Sequence, residues 1–278
     1  MRRRDFVAAG LVCVAAPALA AASGKSRLVI KGAMEQGSLA LGYAEARAAV
    51  TVDGEKMRLS PDGVFAFGFA FDQVKPSLVA VTWSDGTVET QSFTPTVRQY
   101  DIQRVNGLPQ NTVTPPPEVL ARIKQEAADI YLARQRDTAG DDFLSGFDWP
   151  APGIESGVFG SQRIDNGVPM TPHFGVDMAA PTGTPIHAPA RGIVSLSADH
   201  YLNGGFTLID HGQGVSTSYL HQSKRLVKEG DAIKRGQLIG HVGQTGRATG
   251  PHLHWAMNWF EVKLDPSRST RKPKPELL

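Results

Sequence analysis

The chain has 278 residues, 41% of them hydrophobic and 20% charged, with a formal net charge of +2. That length allows about two domains, and the balance is that of a globular protein rather than a disordered or fibrous one. Three of the arginines stand at positions 2 to 4; the remainder is close to neutral, so bulk charge argues against a nucleic-acid partner.

The first residues, MRRRDFVAAGLVCVAAPALAAASG, join a basic start to an apolar run from Phe6 to Ala16 and then to small residues. This pattern reads as a secretory signal peptide over residues 1–22, too short to span a bilayer comfortably. Ala18-Leu19-Ala20 and Ala20-Ala21-Ala22 both fit the small-x-small cleavage rule, and Arg3-Arg4-Asp5-Phe6-Val7 resembles a twin-arginine export signal. The single cysteine, Cys13, lies inside the run. The expectation is an exported chain with no stable membrane insertion after cleavage, and with neither cysteine nor disulfide once mature.

Residues 26–105 read as a β-sandwich-like domain. Phe65, Phe67, Phe69 and Phe71 alternate with smaller residues, as in a strand with one buried face. Ser84-Asp85-Gly86 sits between two β-rich runs and signals a hairpin, and Pro61-Asp62-Gly63 marks a further turn. Residues 106–146 form a linker and helix. NGLPQNTVTPPP is a Pro-rich connector whose three consecutive prolines should be extended and fairly stiff, and the helix runs from about Glu118 to Arg136, with Leu120, Ile123, Ala127 and Ile130 on its inner face. This segment either fixes the first domain over the following one or is a plain spacer. From 147 to 265 Gly and Pro punctuate short β-rich runs, and a tail follows at 266–278. All eight histidines lie between positions 173 and 254.

Within that stretch, GRATGPHLHW poses a geometric question. On a helix, residues two apart point about 200° from each other. On a strand they share a face. If His252 and His254 act together, this segment is a strand, and Leu253, Trp255 and Met257 pack inward. His173 and Asp177 are four apart, roughly 13 Å in an extended strand, so sharing a metal requires a bend, which Gly175 allows. Histidine and carboxylate ligands without cysteine suit a catalytic site, where about three protein ligands leave a position open. By spacing alone, each pair is also what unrelated surface or core residues produce.

Order and surroundings narrow this. TPHFGVDMAAPTGTPIHAPARGIV, LIDHGQGVSTSYLHQS and VKEGDAIKRGQLIGHVGQTGRATGPHLHW closely resemble the lysostaphin-type (LytM-like) zinc metallopeptidases, over residues 150 to 265. The resemblance implies a mainly β protein whose C-terminal domain is an antiparallel β-sheet zinc peptidase. It implies one Zn2+ per chain held by His173, Asp177 and His254, with His221 and His252 as the catalytic histidines, and it does not divide the proton-transfer roles between those two. It further implies a zinc endopeptidase acting on peptidoglycan stem or cross-bridge peptides, with the D-alanine to diaminopimelate bond as the expected target in a periplasm or cell envelope. The alternative is a non-enzymatic wall-binding regulator of another hydrolase. Arg163 and Asn166, ahead of the first ligand, are polar loop residues near the expected cleft. Ser218 and Thr249 are candidates to support the site, and His187, His200, His211 and His241 read as structural or surface residues.

Overall fold

A computed structural model describes residues 26–273. The export-signal segment expected at 1–22 and residues 274–278 lie outside that range. The described chain is mainly β, with one long helix at Pro117–Arg134.

The N-terminal part is two facing antiparallel sheets. One joins Val29–Lys31, Leu39–Tyr43 and Val64–Gly68; the other runs in the order Glu55–Met57, Ala49–Val52, Ser77–Thr82, Val88–Phe93. Phe65, Phe67 and Phe69 are fully buried between them with Val50, Val79 and Val81, each contributing about 1.5–3 kcal/mol by leaving water. The expected alternation therefore holds for three phenylalanines and breaks at the fourth. Phe71 leaves this core and packs edge-on against Phe174, 5.0 Å between ring centroids. Val64–Gly68 is buried along its whole length because its other face meets the C-terminal part. There Ala66 joins the C-terminal core, the Ala66 N–H donates to Gln213 Oε1 (3.1 Å), and Gln213 Nε2 donates to the Val64 carbonyl (3.1 Å).

The helix starts with Pro117 at its first position, where a missing N–H costs nothing. Its inner face differs from the expected one. Val119, Ile123, Glu126, Ile130 and Ala133 are the residues turned inward, whereas Leu120 is 50% exposed and Ala127 is also exposed. The reason is polar: both Glu126 carboxylate oxygens accept from the Tyr201 N–H, at 3.1 and 2.9 Å, which draws that face of the helix onto the sheet. Ile130 and Ala133 then pack on Phe206 and Leu208.

The C-terminal part is built on an antiparallel sheet in the order Ala232–Ile233, Gly192–His200, Gly204–Asp210, Val215–Gln222, His252–Trp259, Val176–Ala179, Ile154–Gly157, with Val262–Leu264 also paired to His252–Trp259. Leu253, Trp255 and Met257 are buried in the main core. His252 and His254 thus share the opposite face, as the H-x-H spacing requires of a strand. A third small sheet matters for the cleft. Ile102–Val105 pairs in parallel with Gln162–Asp165, so Gln103 faces Arg163 in register and Val105 faces Asp165. Residues just ahead of the proline-rich stretch are therefore strand partners of the C-terminal part.

Candidate metal centre and its cleft

Sheet register assembles the centre. Asp177 lies directly opposite His254, and Ala179 opposite His252; on the other side Leu220 faces His254, which brings His221 to the same edge. The chain bends at Gly175 just before Val176–Ala179 begins, and this turns His173 back beside Asp177. The backbone of His173 is pinned on both sides, its N–H donating to the Ser161 carbonyl (2.8 Å) and its carbonyl accepting from the Gly160 N–H (2.7 Å). Phe174 is gripped by Phe71 and Phe159.

His173 Nε2, Asp177 Oδ1 and His254 Nδ1 converge, at 3.0 Å (His173 to Asp177), 2.8 Å (His254 to Asp177) and 2.9 Å (His173 to His254). These three residues form a His-Asp-His group with ligand atoms all within 4.8 Å of one another. The chemistry of the donor set fits a divalent metal. His173 Nδ1 donates to the Val158 carbonyl (3.1 Å), so its Nε2 presents a lone pair to two other electron-rich atoms, an arrangement that needs a cation among them. Zinc holds such ligands at about 2.0–2.2 Å, which places them roughly 3.3 Å apart, a few tenths wider than here. Burial alone would raise the Asp177 pKa, but positive charge and hydrogen bonds at the positions of His173 and His254 bring it well below the usual carboxylate range, and with both rings neutral a bound cation would supply that charge. Burial lowers His254 to about 4, so at neutral pH it offers a lone pair rather than a proton.

The second carboxylate oxygen of Asp177 is occupied as well. Arg163 Nη2 donates to Asp177 Oδ2, which leaves Oδ1 as the free ligand atom. Two glycines make the approach possible. A side chain at Gly157 would strike Asp177 Oδ2 and the Arg163 guanidinium, and one at Gly175 would strike the His254 ring. Arg163, expected from sequence only as a polar loop residue, is thus a partner of the centre. Asn166 is not: it accepts from the Leu108 N–H (3.3 Å) and donates to the Leu108 carbonyl (2.9 Å), tying down the proline-rich stretch.

His221 and His252 stand beside the centre, their rings 4.7 Å apart, with His252 Nε2 3.8 Å from Asp177 Oδ1. His221 occupies a bulge. Thr207 pairs with Tyr219 but Gly205 pairs with Gln222, so Val215–Gln222 carries one extra residue there. His221 takes a left-handed φ of 63°, uncommon for a residue with a side chain, and bulges re-aim side chains in this way. Its N–H donates to the Asn203 carbonyl (2.8 Å). Both histidines are fixed in one tautomer, because a carbonyl only accepts. His221 Nδ1 donates to the Thr245 carbonyl (2.8 Å) and His252 Nδ1 to the Gly250 carbonyl (2.8 Å), leaving each Nε2 as the working atom. Burial, with His252 and His254 nearby, lowers His221 to about 3.

The five residues line a cleft of about 460 Å3. One side of it comes from a source that sequence reasoning missed: Gln103, Val105 and Leu108 also line it. Gln103 Nε2 donates to the Ser156 carbonyl (2.8 Å), and the Val105 carbonyl accepts from the Asn166 N–H (2.8 Å). No local pattern announces a parallel strand pairing across 60 residues of chain. Ser218 is buried within its strand and Thr249 lines the cleft. Of the other histidines, His200 stacks on Phe206 and His211 is buried with both ring nitrogens engaged, while His187 is exposed.

Residues 171–266 match the model of peptidase family M23. Over 88 residues the chain is 47% identical to the peptidoglycan DD-endopeptidase ShyA of Vibrio cholerae, a stretch covering 32% of this chain and 20% of that protein. Over 105 residues it is 41% identical to the DD-carboxypeptidase/endopeptidase Mpg of Neisseria meningitidis, covering 38% of this chain and 24% of that protein. The chain thus spans about a quarter or less of the length of these curated relatives. A crystal structure assigned to peptidase family M23, from Pseudomonas aeruginosa, matches over 84% of this chain and 94% of its own, with 30% identity and a TM-score of 0.67.

Proposed function

This chain belongs to peptidase family M23, and we propose that it is a zinc-dependent endopeptidase that hydrolyses peptide bonds in peptidoglycan, at the link between D-alanine and diaminopimelate. The observation that carries the reading is the convergence of His173 Nε2, Asp177 Oδ1 and His254 Nδ1 beside two further histidines that each aim a free Nε2 at the same cleft. A wall-binding regulator has no need of the second pair. The relative named as a peptidoglycan DD-endopeptidase supports the substrate class, the one named as a DD-carboxypeptidase/endopeptidase supports the reaction, and the pattern at residues 1–22 supports action in the periplasm or cell envelope.

His173, Asp177 and His254 would hold the zinc, which when bound supplies water activation near neutral pH and polarisation of the scissile carbonyl. The protein's own groups do the rest. The cleft wall aligns an extended peptide past the centre. Either His221 or His252 takes a proton at Nε2, a role suited to a neutral imidazole whose other nitrogen is locked on a carbonyl. Having taken it, that Nε2 becomes a hydrogen-bond donor, able to stabilise negative charge on the carbonyl oxygen or to protonate the departing amine. Arg163 holds the carboxylate of Asp177 in one orientation, as partners of ligand residues commonly do.

Digestion of purified sacculi tests the proposal. The metal-loaded protein should release fragments whose masses correspond to cleaved cross-links, and sacculi whose cross-linking is unchanged would overturn it.

A further inference from the structure

Four charged side chains other than histidine line the cleft: Arg163, Asp165, Asp177 and Arg247. Three are accounted for by position. Arg163 and Asp177 are paired with each other, and Asp165 is buried, its side chain 4% exposed. Arg247 is different. Its nearest carboxylate among the described residues is Asp165, with Nε at 3.9 Å from Oδ2, beyond hydrogen-bond length. Its side chain makes no hydrogen bond to protein among the described residues, and it is 29% exposed, opening into the cleft. A guanidinium carries five N–H donors; here none makes a hydrogen bond to the protein among the described residues, and Asp165, whose buried Oδ1 is itself without a hydrogen-bond partner, balances its charge only from 3.9 Å.

The backbone beneath it is fixed. The Arg247 N–H donates to the Leu202 carbonyl (2.8 Å). Gly246, at φ 72°, lets the chain turn against that carbonyl, where a side chain would clash. The cleft's charge is also lopsided once the centre is loaded: two arginines and a divalent cation outweigh two aspartates. A planar fork on a rigid loop, in a cleft of positive balance, is matched by a carboxylate held bidentately.

We infer that Arg247 anchors a free carboxylate of the substrate peptide, so that the cleft selects peptides with that carboxylate over those in which it is amidated. This rests on the proposed peptidase reading and deepens it. In a D-alanine to diaminopimelate cross-link, the diaminopimelate carboxylate next to the scissile amide nitrogen is the group it would take.

Two cross-linked dimers, identical except for amidation of that carboxylate, test the inference. Calorimetry on the zinc-loaded full chain carrying His252→Ala reads binding without turnover. The free-carboxylate dimer should bind at least tenfold more tightly, Arg247→Gln should abolish the difference with zinc content unchanged, and Arg247→Lys should keep part of it. Equal binding of the two dimers, or discrimination that survives Arg247→Gln, overturns the anchor. In the otherwise unaltered zinc-loaded chain, Arg247→Gln should raise KM for the free-carboxylate dimer about tenfold. If the binding difference is present but neither dimer is cleaved, the anchor stands and the proposed reaction falls.

Discussion

Gly175→Ala is a mild perturbation that reaches the proposed metal centre. An added Cβ would lie 2.5 Å from His254 Nε2, 2.6 Å from its Cε1 and 2.7 Å from the Trp255 carbonyl oxygen. Ordinary contact begins near 3.4 Å, so the ring or the backbone must retreat by about 0.9 Å. The Trp255 backbone belongs to a fully buried core residue, so the His254 ring yields on one side and the turn at residue 175 backs away from the Trp255 carbonyl on the other. His254 Nδ1 is within 3.0 Å of both Asp177 Oδ1 and His173 Nε2, and a shift of that size disperses the three ligand atoms. Overpacking of this kind costs about 1–3 kcal/mol, and if it falls on the loaded state, metal affinity drops about 5- to 150-fold. Gly250→Ala is the matched control, because nothing lies within 4 Å of its added Cβ. Competition against a chromophoric chelator measures both variants. Wild-type metal affinity in Gly175→Ala would refute the assignment of His254 as a ligand packed against Gly175.

His221→Ala and His252→Ala should each retain metal while losing turnover on cross-linked muropeptides by a factor on the order of 10² to 10⁴; metal analysis beside kinetics checks the split. Arg163→Ala strips the partner from Asp177 Oδ2 and should weaken metal binding about 10- to 100-fold, read by the same chelator competition. His211 is buried, and burial lowers it to about 4. On unfolding it regains an ordinary pKa near 6.5 and takes up a proton, so its part of the stability is intact above pH 6.5 and is lost as pH falls towards 4. Urea titrations between those limits should show the pH slope reduced by up to about 1.4 kcal/mol per unit in His211→Gln. A chain truncated to begin at Phe147 lacks Gln103, Val105 and Leu108, which line the cleft. It should cleave soluble muropeptides more slowly than the chain beginning at Ser26, and a faster rate would mean that the first part covers the cleft.

What sequence made legible was local. The H-x-H pair declared its strand through the two-residue period, and the core positions of Leu253, Trp255 and Met257 followed from it. The bend between His173 and Asp177 was announced by Gly175. What stayed hidden depends on partners distant in sequence. The helix face rotated because Glu126 meets the Tyr201 N–H, and the fourth phenylalanine of the alternating run left for Phe174. The bulge that aims His221 reflects how two strands pair rather than what either contains. The pairing of Ile102–Val105 with Gln162–Asp165 turned the end of the expected sandwich domain, with Leu108 just inside the expected linker, into a cleft wall. Arg163 and Arg247 gave no local signal, since one is defined by the carboxylate it holds and the other by having no hydrogen bond to the carboxylate nearest to it.

The most direct test of the account is hydrolysis of a single defined substrate. A dimer of stem peptides joined by a D-alanine to diaminopimelate bond is incubated with the full chain, first stripped by a chelator and then reconstituted with one equivalent of zinc, and the products are weighed by mass spectrometry. The account predicts an intact dimer with the stripped protein and two monomers, together heavier by one water, after reconstitution. Cleavage that persists without metal, or a dimer left whole by the reconstituted protein, would contradict it.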